Sequence, residues 1–444
     1  MTASQGERSA FYRLCSLGAA LAALTLLTPF FFRSWGDNAY IALTIPAGVI
    51  AFIATRVAER IPTVRTLWFI VGLAIALRVA LLMLDPLLSS DIYRYVWDGR
   101  VQAAGINPYR YIPGDPALAF LRDTVIYPHI NRADYAVTIY PPIAQIFFLL
   151  VTRLGENVTV MRLGFLACEA VTVVMIVLLL KQLGRPVTRI VAYVWHPLPM
   201  WEIANSGHID ALMVALMVTG IWLAATVRPL RGAFAIALAV LAKPFAMLAL
   251  PALWRPWDWR MPAITVVTVA LCYIPYASVG TGVFGFLSTG YLIEEGIVSG
   301  GNNWLLSIGR RLFGDYRYDS AVYFGISMLA VSVLAMKAAF RQQRSTESML
   351  ADINMLLLAF LLLLSPDHPW YFLIIIPFVA LRGSTVGWAV SIGALLLQDE
   401  LEWDAYIPIF TRKTVLYGGV ALAFTWSIWR MWKMKRLPDD SNAR

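Results

Sequence analysis

Long apolar runs separated by short polar segments are the feature that most constrains this chain. Many approach the length of roughly 20 residues that a helix needs to cross a bilayer, and together they allow about a dozen crossings. At 59% hydrophobic and 14% charged residues, with a mean hydropathy of +0.67, the 444-residue chain is too apolar for a soluble protein of this size. The runs are also too long and uniform for barrel strands. The sequence therefore predicts an all-α fold, a polytopic transmembrane bundle of about 11–14 helices.

The positions of the basic residues predict how the chain is oriented in the membrane. Arg56, Arg60 and Arg65 follow the second apolar run, so the positive-inside rule places them and the amino terminus in the cytoplasm. The same rule places two further groups there: Lys181, Arg185 and Arg189, and Lys433, Lys435 and Arg436 near the carboxyl terminus. The net charge of +9 is spread over such helix ends and not gathered in one patch, which favours an orientation signal over a nucleic-acid surface.

The apolar runs predict membrane spans at about 14–32, 39–55, 66–84, 160–180, 261–280 and 319–338. Between 180 and 261, one further span is predicted to end outside at residues 202–210, and the next to end inside at Arg228 and Arg231. Residues 141–153 are too few to cross and are predicted to lie along the membrane surface. The run 232–253 is interrupted by Lys243 and Pro244 and has basic flanks. This pattern predicts a hairpin of two short helices whose bend carries Lys243 toward the outer side.

We expect one integral membrane domain over residues 1–444, with two extra amino-terminal helices within 1–65. Its outer loops are predicted at 85–140 and 282–317, and further outer segments at 365–371 and at the acidic stretch 399–404. No internal repeat is visible, so the pattern does not favour an inverted-repeat transporter. Three cysteines, Cys15, Cys168 and Cys272, all lie in apolar runs and are predicted to be core residues without disulfide or metal-binding spacing.

Asp91 is the leading candidate for catalysis because it opens a polar, aromatic run directly after an apolar span. A partly desolvated carboxylate at the mouth of a membrane helix can act as a general base toward an acceptor hydroxyl. The alternative is a carboxylate that pairs with Arg94 or caps a short helix. Asp98 is the second choice for the base, and the segment from Trp97 to Tyr111 is interpreted as the floor of a sugar and acceptor site.

Two cations lie within apolar runs, where burying a charged side chain costs free energy and a functional role is the default hypothesis. Arg78 is expected either to snorkel to the interface or to face a polar cavity. Lys243 has no evident route to the surface and can bind a lipid phosphate; the structural alternative requires a buried, unpaired ammonium group.

Three of the four histidines fall in or beside predicted outer loops: His129, His208 and His368. His208 and Asp210 lie two residues apart, where ordinary helix capping is the alternative to a functional role. His368 precedes Trp370 and Tyr371 and can contact a phosphate or a sugar, or belong to an interfacial aromatic belt. No metal-ligand spacing is present, so no divalent cation and no other cofactor is expected.

Several short segments of the sequence resemble, in the same order, those of one family of membrane enzymes. They are Asp91-Ile92-Tyr93-Arg94-Tyr95, Gly105-Ile106-Asn107-Pro108-Tyr109, Tyr140-Pro141-Pro142, Trp201-Glu202, Gly207-His208-Ile209-Asp210, Ala242-Lys243-Pro244-Phe245 and His368-Pro369-Trp370-Tyr371. The sequence resembles the GT-C superfamily of membrane glycosyltransferases. Within it, the resemblance is to glycosyltransferase family 87, the group of polyprenol-phosphate-mannose-dependent mannosyltransferase-like proteins. The similarity spans roughly residues 66–382. One departure is that two predicted spans precede the one leading into Asp91.

The resemblance implies a transferase whose catalytic base matches Asp91 and whose donor is a sugar on a polyprenyl phosphate, transferred with inversion. It implies that Lys243, His208 and His368 hold the donor. Further candidates for donor binding are Arg78, Asp210, Tyr93 and Arg94.

The expected activity is transfer of a sugar, with mannose favoured, to a hydroxyl of a lipid or glycan acceptor at the extracytoplasmic face of the cell membrane. The expected partners are this donor, the acceptor and membrane lipids, and not nucleic acid. A transporter or flippase of lipid-linked sugars is the alternative, and it predicts polar residues spread over both halves of the membrane. A non-catalytic subunit is a third interpretation, and it leaves Arg78, Asp91 and Lys243 without a purpose.

Overall fold

A computed structural model of the protein describes residues 5–226, 228–286, 290–294, 296, 299–301, 303–398 and 408–435. The described residues contain helices and no strand. The α-helices of at least nine residues are α1 Gln5–Ala58, α2 Val64–Leu82, α3 Asp91–Ala103, α4 Pro142–Thr152, α5 Val158–Gln182, α6 Asp210–Ala225, α7 Pro229–Val240, α8 Arg260–Tyr273, α9 Trp304–Phe313, α10 Asp319–Ala339, α11 Thr346–Leu364, α12 Thr385–Gly393 and α13 Ile409–Lys435. The other helical segments, which are short α-helical turns or segments of 3₁₀- or π-helix, are Pro116–Leu121, Tyr127–His129, Val187–Ile190, Val191–Val194, Pro197–Pro199, Met200–Asn205, Pro244–Ala249, Leu250–Leu253, Ile274–Phe284, Leu292–Glu294, Pro369–Ile375, Ile376–Arg382 and Ala394–Leu397.

The all-α membrane fold predicted from the sequence is confirmed. Within the described ranges, six helices are long and apolar enough to cross a membrane: Gln5–Ala58, Val64–Leu82, Val158–Gln182, Arg260–Phe284, Asp319–Ala339 and Thr346–Leu364. Six shorter apolar helices accompany them. The predicted acidic segment 399–404 and the basic residue Arg436 lie outside the described residues.

The amino-terminal helix α1 is 54 residues long but does not form one continuous rod. Gly36 has φ of 53° and ψ of −139°, a conformation that glycine adopts without a steric penalty and that breaks the helix. The break falls between the two predicted spans at 14–32 and 39–55, so the two-helix prediction for this region agrees with the structure.

Residues 190–215 are all buried and form the centre of the bundle. The sequence analysis assigned one membrane span to the start of this stretch, and the structure shows a series of short turns in its place. Pro197 and Pro199 explain the difference, since proline lacks the amide hydrogen that a continuous helix requires. The last of these turns, Met200–Asn205, has π-helical geometry, which is frequent at functional sites.

The predicted surface helix corresponds to α4, which is 11 residues long and too short to cross a bilayer. It packs against α3 and α5. Between α3 and α4, the Asp98 carboxylate accepts hydrogen bonds from Arg94 (2.9 Å) and from Gln145 (3.0 Å) and is 2% exposed. Asp98 therefore joins two helices and is not free to act as the alternative base.

The predicted cytoplasmic cations meet acidic partners at one end of the bundle. Arg189 lies 3.0 Å from Glu59, and Arg185 donates two hydrogen bonds of 3.0 Å to Glu347. Arg382 also contacts Glu347. Residues that charge bias assigned to one side of the membrane are therefore neighbours in three dimensions.

The close packing of α3 on α4 gives a test of the fold. A methyl group on Gly99 would lie 2.6 Å from the carbonyl oxygen of Phe148 and 2.6 Å from the Thr152 side chain. We expect Gly99→Ala to destabilise the protein by about 1–3 kcal/mol, because overpacking forces the helices apart. Gly72→Ala in α2 is the matched control, since nothing lies within 4 Å of its added methyl group. Thermal unfolding in detergent compares the two, and equal melting temperatures would contradict the predicted contact.

Candidate active site

Asp91 is the first residue of α3, and its side chain faces a polar cavity of about 480 Å³. Its Oδ1 accepts a hydrogen bond of 2.6 Å from the side-chain amide of Asn131. The alternative in which Asp91 pairs with Arg94 does not occur, because Arg94 is bonded to Asp98 and to the carbonyl of Ala136. The Asp91 carboxylate is therefore held by a neutral amide, with 18% of its side chain accessible from the cavity.

The cavity is lined by both polar and aromatic side chains. The polar ones are Ser90, Asp91, Asn131, Arg132, His208, Asp210, Lys243 and His368, and the aromatic ones are Tyr95, Tyr135, Tyr140, Tyr291, Trp370 and Tyr371. These residues come from the first and second outer loops, the buried centre, the Lys243 bend and the segment on both sides of Pro369. Residues as far apart in the chain as Ser90 and Tyr371 thus share one cavity.

His208 is placed by a turn that requires glycine. Gly207 has φ of +74°, and an added Cβ would lie 2.4 Å from Ile92. The backbone amide of His208 donates to the carbonyl of Glu202 (2.9 Å), closing the turn. The imidazole is 1% exposed, with Nδ1 4.0 Å from Asp91 and Nε2 3.3 Å from Glu202. The turn therefore fixes a histidine between two carboxylates.

Lys243 has an ion-pair partner, which corrects one premise of the sequence analysis. Its Nζ donates to both carboxylate oxygens of Asp210, at 2.9 and 2.8 Å, and lies 4.4 Å from the Tyr371 ring centre. An unpaired ammonium is thus not the structural alternative. An ammonium has three hydrogens, so one donor is still available to a ligand after the two bonds to Asp210. The predicted bend is present as the residues between α7 and the turn Pro244–Ala249.

His368 and His208 lie on opposite faces of Trp370. The ring centres are 4.2 Å apart for His368 and 4.3 Å for His208, and both pairs are stacked. Burial lowers the pKa of His368 to about 4, although the nearby carboxylates of Asp367 and Asp91 oppose this shift. Its imidazole is therefore neutral at pH 7 and suits a hydrogen bond to a hydroxyl or phosphate oxygen. The buried Nδ1 has no hydrogen-bond partner among the described residues.

Arg132 joins the two outer loops at the rim of the cavity. Its Nε donates to Glu294 at 2.7 Å. Burial by itself would lower the pKa of Arg132, but the hydrogen bond to Glu294 and the charges of Asp91 and Glu294 raise it, so the guanidinium stays charged. Near it, the hydroxyls of Tyr291 and Tyr371 are 2.5 Å apart. Arg132 thus places a fixed positive charge close to the Asp91 carboxylate.

A second cavity, of about 400 Å³, adjoins the polar one and is almost entirely apolar. Both cavities are lined by Ile139, Tyr140, Lys243, Tyr291 and Tyr371. The second extends between the turn after Lys243 and α11, along Phe245, Phe360 and Leu364. Lys243 therefore lies where the polar and apolar spaces meet.

Three predicted site residues lie away from this cavity. Arg78 forms a bidentate ion pair with Glu169 on α5, at 2.7 and 2.6 Å, and neither snorkels nor faces the cavity. Arg94 belongs to the Asp98 cluster, and Tyr93 packs its ring 4.8 Å from that of His129. The predicted floor is wrong: no residue from Trp97 to Tyr111 lines the cavity, and Trp97 is buried against Tyr127.

Residues at or beside the site that were given no role from the sequence include Asn131, Arg132, Glu202 and Tyr291. The signal for Glu202 was present, because a carboxylate inside an apolar run is costly unless it has a partner. Nothing in the local sequence distinguishes Asn131 or Arg132 from other polar loop residues. The cysteines predicted as core, Cys15, Cys168 and Cys272, are free and only half-buried.

The helical bundle and its enclosed polar cavity define a polytopic membrane protein with a candidate active site at the end of its helices. Residues 19–257 match the family described as alpha-(1->6)-mannopyranosyltransferase, N-terminal domain. The chain belongs to this family, and it is a membrane glycosyltransferase. The GT-C assignment made from the sequence is thereby confirmed. The matched range includes Asp91, His208, Asp210 and Lys243 but not His368.

A curated relative supports the same assignment. Alpha-(1->6)-mannopyranosyltransferase A of Mycobacterium tuberculosis strain H37Rv is 26% identical over 365 residues, which cover 76% of this chain and 67% of that protein. No solved structure matches the chain. Membership in an enzyme family favours the transferase interpretation over the transporter.

Proposed function

We propose that the protein transfers mannose from a polyprenyl-phosphate carrier to a hydroxyl of a lipid or glycan acceptor, with inversion at the anomeric carbon. The observation that supports this most is the position of Lys243 at the junction of the polar and apolar cavities. A polyprenyl-phosphate sugar has the same division: an apolar chain, an anionic phosphate and a polar sugar. With the phosphate beside Lys243, the chain would extend along Leu364 and the sugar toward Asp91.

The chemistry of the polar cavity suits a single displacement. Asp91 removes the proton of the acceptor hydroxyl as the oxygen attacks the anomeric carbon. The bond from that carbon to the phosphate oxygen breaks, and its electron pair leaves with the carrier phosphate. The positive charges of Lys243 and Arg132 already lie next to this leaving group and stabilise its negative charge. Because one carboxylate acts as the base and none acts as the nucleophile, the configuration inverts.

The proposed site lies at the extracytoplasmic face of the cell membrane, with both termini in the cytoplasm. Charge bias supports this: Arg185, Arg189 and Arg382 lie together around acidic partners, and they belong to segments other than those that line the cavity.

The direct test supplies purified protein in detergent with polyprenyl-phosphate mannose or with a nucleotide-linked mannose, each with a lipid-glycan acceptor. We expect transfer from the polyprenyl donor alone, and the same rate in EDTA because cationic side chains supply the charge stabilisation. Among the described residues, no cluster of three His, Cys, Asp or Glu side chains is arranged to hold a metal ion. Transfer from the nucleotide donor alone, or a strict and restorable need for a divalent ion, contradicts the proposal.

The apolar cavity gives a separate prediction about the carrier chain. Leu364 lines it near the end of α11, so Leu364→Trp should occupy the space of the chain. We expect the KM for a long polyprenyl donor to rise about tenfold, which corresponds to losing about 55 Å² of apolar burial. A donor with a chain of two isoprene units should be affected little.

Leu358→Trp is the matched control for this substitution. Leu358 lies on the same helix but lines a different groove, toward α12 and α13. The KM for both donors should then stay at the wild-type value. If Leu364→Trp changes neither donor, or changes both alike, the chain does not bind in this cavity.

A further inference from the structure

Glu202 is a buried carboxylate that the mechanism above does not use. It lies in the π-helical turn Met200–Asn205 and is 0% exposed. Neither of its carboxylate oxygens has a hydrogen-bond partner within the part of the chain that the structure describes. Burying a carboxylate in this way is expensive unless a nearby group can share its charge or its proton.

The group next to Glu202 is the imidazole of His208. Its Nε2, 3.3 Å away, is likewise buried without a hydrogen-bond partner among the described residues. A small rotation of the ring would bring the two atoms into a hydrogen bond. Glu202 would then hold the proton on Nε2 and leave Nδ1 free on the opposite edge of the ring. This is the usual way in which a carboxylate selects the tautomer of a histidine.

The free edge of His208 faces the catalytic candidate. Nδ1 lies 4.0 Å from Oδ2 of Asp91, the oxygen that Asn131 does not contact. Catalytic hydrogen bonds are often long in a structure without substrate and shorten in the complex. Trp370 stacks on the ring and Gly207 fixes its backbone, so the imidazole is confined between the two carboxylates.

We propose that Glu202 is a positioning residue that makes His208 the proton acceptor behind Asp91, an inference that rests on the proposed function. The acceptor oxygen forms its bond to the anomeric carbon, and the bond from that carbon to the phosphate oxygen breaks. The hydroxyl proton passes to Asp91 and then to Nδ1 of His208, giving an imidazolium between two carboxylates. The electron pair leaves with the carrier phosphate. When the product has left, the proton returns through Asp91 to water, which resets the site.

Glu202→Gln tests this role, because it keeps the size of the side chain and removes its charge. We expect kcat to fall by about 10- to 100-fold. This loss is at or below the lower end of the roughly 10²- to 10⁴-fold that a proton-transfer group usually contributes. KM for the donor should stay within about threefold of the wild-type value, since Glu202 does not line the cavity. Glu202→Asp, which retains the carboxylate, should recover part of the loss. A packing role alone would not separate kcat from KM in this way.

Ser206→Ala is the matched control. Ser206 lies four residues further along the same buried segment, and its hydroxyl has no hydrogen-bond partner among the described residues, so removing it should leave the rate unchanged. If Glu202→Gln fails to fold, as judged by its melting temperature, His208→Gln supplies the test, with the same fall in kcat expected. The proposal is overturned if a folded Glu202→Gln variant keeps the wild-type kcat, or if its defect lies in donor KM. An inactive wild-type protein would count against the proposed function and not against this inference alone.

Discussion

Asp91→Asn is expected to lower the rate of mannosyl transfer by about 10²- to 10⁴-fold, the range that a lost general base produces. The loss should appear in kcat, because the substituted amide keeps the shape of the side chain but accepts no proton. Folding should be unaffected. The amide oxygen of the new asparagine can still accept the hydrogen bond that Asn131 donates at 2.6 Å. The measurement is the steady-state rate in detergent at saturating polyprenyl-phosphate mannose.

Asp134→Asn is the control for this substitution, since Asp134 is an exposed carboxylate in the same outer loop and does not line the cavity. Its transfer rate should equal that of the wild type. A rate for Asp91→Asn within about threefold of the wild type would remove Asp91 from the role of base. Because Asp98 is bonded to Arg94 and Gln145, the base would then have to be sought outside α3.

Arg78→Leu is expected to destabilise the protein strongly, by about 3–5 kcal/mol, because it leaves Glu169 as a buried and uncompensated charge. The Arg78 guanidinium donates to both Glu169 oxygens and to the carbonyl of Val194 (2.9 Å). It therefore ties α2 to α5 and to the buried central segment. Thermal unfolding in detergent should show a large fall in melting temperature. Any loss of activity should follow the loss of folded protein.

The double substitution of Arg78→Leu with Glu169→Leu distinguishes an ion-pair effect from a packing effect. Replacing both charges with apolar groups of similar size is often neutral or stabilising in a protein interior. We therefore expect the double variant to melt well above either single variant. If a single variant has the melting temperature of the wild type, this pair does not stabilise the bundle. The same conclusion follows if the double variant has a melting temperature no higher than those of the single variants.

The general architecture was predictable because it depends on local sequence. A helix that crosses lipid must satisfy its backbone groups internally and must be apolar along its length, so each span is visible in its own residues. The break at Gly36, the spans α2, α5 and α10, and the short helix α4 follow from such local patterns. The prolines at 197 and 199 interrupt a run that apolarity alone assigned to one span.

The candidate site was predictable only in part. Asp91, His208, Asp210, Lys243 and His368 stand out because polar groups in or beside apolar runs are rare and costly, and all five line one cavity. Arg78 stands out for the same reason but is paired with Glu169 elsewhere. The cost of burying a charge indicates that a partner exists, and it does not say which partner.

The sequence by itself therefore determined that this is a helical membrane protein, how its predicted spans are arranged along the chain, and which carboxylate is the leading candidate for a base. Only the tertiary structure decided the partners. It assigned Glu169 to Arg78, Asp210 to Lys243 and Asn131 to Asp91. It also placed Glu202 behind His208. The physical reason is that the backbone hydrogen bonds that lipid requires form within each helix, so they depend on local sequence. A buried charge, in contrast, is stabilised by whichever side chain the packing of distant helices brings next to it.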